Sequence, residues 1–186
     1  SYFSKRSGFV INQLSGGGCE HMGNFPTFPV KGKLKMSPDN ILNYRINISE
    51  EKGHAGYYEA MVQEDIKAKL TVTERTGMAS YEYPADQQYG TVIIGGGISA
   101  TPIEQAAIVI TAPNKCEGYA EGGNFCGLRT PYKVYFVAEF DTDALESGTW
   151  KRNELKPNTT FAEGEYSGVY FTFDVNKKKN IQYKIG

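Results

Sequence analysis

Gln13, Ser15 and the run Gly16, Gly17, Gly18 are the residues of this chain whose types and spacing best fit ligand chemistry. A glutamine amide offers both donors and an acceptor, and a serine hydroxyl can do either. Three successive glycines leave their backbone amides uncovered and let another surface come close to the main chain. Such a set suits the hydroxyl groups of a sugar. The same triple glycine also serves as a plain tight connection, and both readings stand at this point.

Other candidates are weaker on spacing. Gly95, Gly96 and Gly97 lack the Gly-Lys-Ser/Thr that completes a phosphate-binding loop, so a structural turn is the better reading. Glu74 and Arg75, adjacent in an expected strand, would point to opposite faces, with one of them in an ion pair. Glu139 sits between apolar residues and reads either as a buried carboxylate of perturbed pKa or as a partnered structural glutamate. Asp39-Asn40 and Asp141-Thr142-Asp143 supply oxygen ligands without the spacing of a calcium loop. Trp150 suits stacking on a sugar ring or, more ordinarily, a place in the core. The three cysteines, Cys19, Cys116 and Cys126, show no zinc spacing; buried free thiols are expected, with a Cys116–Cys126 bridge as the alternative.

Composition excludes some functions. A net charge of −1 with 22% charged residues gives no electrostatic footprint for nucleic acid or an anionic membrane surface. No stretch is long and apolar enough to span a bilayer as a helix, and no leader pattern opens the chain. The abrupt start at Tyr2 and Phe3 reads as a processed or cloned fragment. Aromatic residues make up 13%, with 13 Tyr and 10 Phe, which favours strands.

The elements that must position these groups are strands. Period-two alternation marks Lys67 to Arg75, continued after Gly77 by Ala79 to Tyr83, and marks Tyr132 to Phe140 most strongly. Tyr89 to Ile94 and Ala106 to Thr111 read as β-branched strands. Gly168 to Val175 and Asn180 to Ile185 read as a hairpin across Asn176 to Lys179, whose lysines form a solvated turn. Ile103 to Ala107 carries a weak helical hint. Many strands punctuated by Gly, Pro and Asn, with no internal repeat or linker, predict one all-β domain over residues 1–186, an antiparallel sandwich with little helix. A barrel is the alternative.

The opening Gly8-Phe9-Val10-Ile11-Asn12-Gln13-Leu14-Ser15-Gly16-Gly17-Gly18-Cys19 resembles the Gly-Phe-Ser-His-Thr-His-Leu-Ser-Gly-Thr-Gly-Cys loop of the family 92 glycoside hydrolases, exo-acting bacterial α-mannosidases. Further segments are similar to family motifs in the same order: His54 to Tyr58, Ile66 to Gly77, Tyr81 to Pro84, Val134 to Phe140, Gly168 to Phe173 and Tyr183 to Gly186. Ile11 and Gln13 stand at the two family histidine positions, and Gly77-Met78-Ala79-Ser80 stands where the family has Gly-Phe-His-Arg.

The resemblance implies the family's amino-terminal domain, a two-sheet β-sandwich of the galactose mutarotase-like supersandwich type. It packs on a C-terminal (α/α)6 barrel that carries the acid, the base and a calcium ion and inverts anomeric configuration. That barrel lies beyond this chain, so the fragment itself is expected to be inactive, to hold no cofactor, and to line part of a sugar cleft with Gln13, Ser15, Gly16, Gly17 and Gly18. Its expected partners are the barrel and mannose-containing glycans. An exposed apolar patch near Gln13 to Gly18 is expected to drive a symmetric dimer of the fragment. The parent is expected to be calcium-dependent, bacterial and periplasmic or extracellular. A free-standing carbohydrate-binding sandwich is the alternative, and a purely structural domain a third reading.

Overall fold

The computed structural model of the chain describes residues 8–14, 21–39 and 47–186. In chain order the first strands are β1 (Gln13–Leu14), β2 (His21–Met22), β3 (Thr27–Lys31), β4 (Ile48–His54) and β5 (Tyr57–Val62). Then come β6 (Ile66–Val72), β7 (Gly77–Glu82), β8 (Tyr89–Gly95), β9 (Ile103–Ala112), β10 (Lys115–Phe125) and β11 (Leu128–Phe140). The last are β12 (Glu146–Lys151), β13 (Glu154–Pro157), β14 (Phe161–Glu163), β15 (Ser167–Asp174) and β16 (Asn180–Ile185). Among the described residues, Pro38 and Asp39 are the only helical positions.

Two open antiparallel sheets account for most of the chain. One has nine strands in the order β14-β9-β10-β11-β16-β7-β6-β5-β4, the other five in the order β13-β12-β15-β8-β3. They face one another as the sandwich anticipated from the alternation. In β11, Phe136, Ala138 and Phe140 point inward while Tyr135, Val137 and Glu139 are exposed. The inward rings meet the smaller sheet: the Phe140 ring lies 4.9 Å from Phe171 and 5.1 Å from Phe173, centroid to centroid. Such tilted aromatic contacts stabilise beyond the area they bury.

Three expected connections differ in the structure. β15 and β16 are not a hairpin: β15 pairs with β8 and β12 in the smaller sheet, β16 with β7 and β11 in the larger. Residues 175–179 therefore cross between sheets. Lys178 forms an ion pair with Asp141 at 2.7 Å and Lys177 one with Asp174 at 3.6 Å, so the lysine turn is tied at both ends. Lys67 to Arg75 and Ala79 to Tyr83 do not continue one another. β6 and β7 are antiparallel neighbours, and the chain reverses at Thr73 to Thr76, where the Thr73 amide donates to the Thr76 carbonyl at 2.8 Å. Ile103 to Ala107 is strand, because Ile103, Ala106 and Ile108 are buried by the sheet and not by a helix face.

A hydroxyl cluster closes the interface on the β3 side. Thr27 Oγ1 hydrogen-bonds the Tyr183 hydroxyl, and Tyr81 and Tyr183 hydroxyls are 3.2 Å apart. Thr27 Oγ1 also donates to the Phe9 carbonyl at 3.3 Å. Tyr83 is buried beside them and donates to the Thr91 carbonyl at 2.9 Å. Burial holds the Tyr81 and Tyr83 hydroxyls well above their ordinary pKa and pushes Tyr183 from 10.0 up to about 12.

Phenolic groups that ionise later in the folded than in the unfolded chain stabilise the fold fully below pH 10.0. That stability falls as pH rises from there towards about 12, so unfolding monitored across this window should be steeply base-dependent. The ultraviolet tyrosinate signal of Tyr81, Tyr83 and Tyr183 should appear only as the chain unfolds. Phe140→Ala should destabilise by about 3–5 kcal/mol in denaturant titration, and Leu128→Ala, at a side chain 69% exposed, by less than about 0.5 kcal/mol.

Candidate functional site

In sequence the candidate loop is flanked by β1 and β2, which form a two-stranded ribbon. β1 pairs with β2 in the register Gln13↔Met22 and Leu14↔His21. Gln13 therefore stands at the root of the loop. Ser15, Gly16, Gly17 and Gly18 lie outside the described residues.

The root of the ribbon is pinned by a buried polar network. Asn12 Nδ2 donates to Asn24 Oδ1 at 3.1 Å, and the Asn24 amide donates back to Asn12 Oδ1 at 2.9 Å. The Tyr132 hydroxyl, from the long β10–β11 hairpin, donates to the same Asn24 oxygen at 3.1 Å. Ser99 Oγ and the Ala100 amide both donate to the Met22 carbonyl, at 2.7 and 2.9 Å. Asn24 is fully buried, and its Nδ2 is without a partner among the described residues. A buried donor left unpaired costs about 1–3 kcal/mol.

Two flanking segments hold this network from either side. The Gly95 to Gly97 turn delivers Ser99 and Ala100, and its geometry answers the sequence question: the Gly96 and Gly97 amides both donate to the Ser167 carbonyl, so neither faces a ligand. On the other side, β10 carries a bulge between Gly122 and Asn124. Gly123 adopts φ 136° there, and a Cβ would collide with the Thr130 carbonyl, so only glycine serves. The hairpin tip carries Cys126, which is disulfide-bonded; Cys116 is a free, fully buried thiol, so no Cys116–Cys126 bridge exists.

The remaining sequence candidates are dispersed. Glu74 and Arg75 occupy the exposed turn after β6, not strand positions on opposite faces, and neither forms an ion pair among the described residues. Glu139 is exposed and not a buried carboxylate, because alternation in β11 turns Phe140 and Ala138 inward. Asp141 is committed to Lys178 and accepts from the Gln182 amide at 3.2 Å. Trp150 is fully buried; a Cβ on Gly168 would strike its indole, so the ring lies across that glycine as a core residue. Among the described residues no three His, Cys, Asp or Glu side chains gather to hold a metal ion.

Sequence reasoning missed Asn12, Asn24, Ser99 and Tyr132. They share no spacing, and only the fold brings them together. It also missed that Ile11, Met78 and Ala79, three positions that depart from the family pattern, converge on one cavity. That cavity measures about 450 Å³ and is walled by Phe9, Tyr58 and Leu70.

An all-β sandwich with a short β1–β2 ribbon pinned by polar side chains is the class these observations define. The sequence model of the glycosyl hydrolase family 92 N-terminal domain matches residues 2–186, and the chain belongs to that family. Among solved structures, the family GH92 α-mannosidase BT3965 from Bacteroides thetaiotaomicron superposes with a TM-score of 0.80 at 22% identity, over 97% of this chain and 26% of that one. The GH92 family glycosyl hydrolase ccman5 gives 0.80 at 21% identity, over 98% of this chain and 26% of its own. The family GH92 inverting mannosidase BT2199 from Bacteroides thetaiotaomicron VPI-5482 gives 0.70 at 22% identity, over 87% and 21%. The chain thus spans about a quarter of these relatives. No curated protein matches it in sequence.

Tyr132→Phe should remove one support of the ribbon and cost about 1 kcal/mol in denaturant titration. Hydrogen exchange should then rise at the Gly23 amide, which donates to the Asn12 carbonyl, before it rises in the sheets.

Proposed function

We propose that this chain is the non-catalytic sandwich domain of an exo-acting α-mannosidase. In this reading it packs on a C-terminal catalytic barrel and lines one side of the sugar cleft with Gln13, Ser15 and Gly16 to Gly18. The observation that carries the reading is the network of Asn12, Asn24, Tyr132 and Ser99 at the base of the β1–β2 ribbon. A loop that must present amides to sugar hydroxyls needs a rigid base, because a subsite loses its contacts when its support shifts by about 1 Å. The mannosidase assignment is carried over from the family and from relatives of that activity, one of them solved with mannoimidazole.

Inversion calls for two carboxyl groups about 6.5–9.5 Å apart across the sugar. The reading places both, with the calcium ion, in the remainder of the polypeptide. Supporting this, Glu74 lies in an exposed turn and Asp141 is held by Lys178. The parent is proposed to work in the periplasm or outside a bacterial cell. The disulfide at Cys126 supports that placement, since such bonds persist in oxidising compartments.

Calorimetric titration with α-mannobiose tests the cleft. Wild-type chain should bind weakly and Gln13→Ala at least about tenfold more weakly still. The chain should not turn over an activated α-mannoside. Turnover abolished by Glu74→Gln or Glu139→Gln would overturn the division of labour.

A further inference from the structure

The tip of the β10–β11 hairpin carries chemistry that the polar network does not use. Phe125 pairs with Leu128, which leaves Cys126 and Gly127 as a two-residue turn. Both turn residues are left-handed, with φ 52° and 83°, the geometry that follows the natural twist of a hairpin. Glycine takes that conformation freely, whereas a cysteine there is strained. Across the turn the Gly127 amide donates to Asn124 Oδ1 at 3.0 Å. Cys126 and the five residues that follow it, 127–131, are exposed.

The sulfurs of this chain stand in different states. Cys116 is a free thiol in the core, where burial holds its pKa well above that of an ordinary thiol and shields it from attack. Cys126 is disulfide-bonded. The chain has one further cysteine, Cys19, which lies outside the described residues, and the count alone leaves it as the other sulfur of an intrachain bond. The described strands agree with that count. β2 starts at His21, two residues past Cys19 in sequence, and packs against β10, the strand that runs into the tip.

We propose that Cys126 and Cys19 form an exposed, reducible disulfide, and that this bond is the redox-reactive site of the chain. Exposed disulfides are the labile ones, and buried thiols are inert. A thiolate of a dithiol reductant attacks the Cys126 sulfur, the S–S bond breaks, and Cys19 leaves as a thiolate. The reductant's second thiolate then displaces Cys126. In sum, two electrons and two protons pass from the dithiol to Cys19 and Cys126, and the reductant ends as its own disulfide. The Tyr132 hydroxyl on Asn24 still ties the hairpin to the ribbon after this exchange, so opening is local to the tip. The assignment rests on the cysteine states and not on the sugar-cleft reading, so a failure of mannobiose binding leaves it untouched.

Peptide mapping of the unreduced chain, alkylated in denaturant, should recover Cys19 and Cys126 as one linked peptide pair and Cys116 alkylated. Dithiothreitol added to the folded chain should then release the thiols of Cys19 and Cys126 to iodoacetamide, with Cys116 unlabelled until denaturant is added. Far-UV dichroism should stay native through that step, and hydrogen exchange should rise at the Gly127 amide while that of Tyr119, in the body of the sheet, holds. Recovery of Cys126 as a free thiol, paired with Cys116, or linked to a second chain would overturn the proposal. So would loss of the native dichroism in step with thiol release, or labelling of Cys116 as fast as Cys126 in the folded chain.

Discussion

Everything else in this molecule depends on the seam between the two sheets, where Phe140 meets Phe171, Phe173 and Tyr183. An isolated antiparallel sheet with one apolar face has no stable existence in water; it must bury that face against another layer. The seam supplies the layer. Because β11 and β16 contribute Phe140 and Tyr183 from neighbouring strands of one sheet, and β15 contributes both phenylalanines from the other, a slip of one residue in β11 or β16 would turn Phe140 or Tyr183 to the outer face. Register, and with it the position of the hairpin that carries Tyr132, is fixed there.

The same seam explains which parts of the fold the sequence disclosed. β11 and β16 alternate cleanly, and their inward and outward residues are those the alternation implies. β15 is different: Val169, Tyr170, Phe171 and Phe173 do not alternate with charged residues, the one polar side chain among them, Thr172, lies 2.9 Å hydroxyl to hydroxyl from Thr91, and the structure buries every one. A run without alternation marks a strand covered on both faces, whereas alternation marks a strand covered on one. The contrast between β15 and β16 argues for different sheets, and the turn-like Asn176 to Lys179 outweighed it in the hairpin reading. Local turn chemistry does not decide whether a reversal stays within a sheet or crosses between two.

The candidate site was legible in one respect. Glycines 16–18 flag the loop, because no other residue type tolerates that backbone freedom so readily. Its support was not legible. Asn12, Asn24, Ser99 and Tyr132 come from four separate segments, and nothing about an asparagine or a serine in a sequence tells which buried carbonyl it will meet. Glu139 teaches the converse. Its apolar neighbours suggested burial, yet the period of two that marked β11 as a strand already placed it on the opposite face from Phe140.

The two ends of the sandwich are built on opposite physical terms. At the ribbon, polar side chains of Asn12, Asn24 and Tyr132 bond one another and hold main chain in place through directional hydrogen bonds. At the cavity, Phe9 to Ile11 is joined to the body by the paired backbone bonds with Thr27, by the Thr27 hydroxyl on the Phe9 carbonyl, and beyond Phe9 by apolar contact, which is non-directional and tolerates displacement. A segment held by directional bonds presents a fixed surface, and one held by apolar contact adapts its spacing to what lies beneath it. Residues 8–12 belong to both, since Asn12 anchors the ribbon while Phe9 and Ile11 roof the cavity. Four residues of extended chain reach at most about 14 Å, so no slack separates the two ends. Any shift of Ile11 over the cavity is felt at Asn12 and hence at the root of the glycine-rich loop.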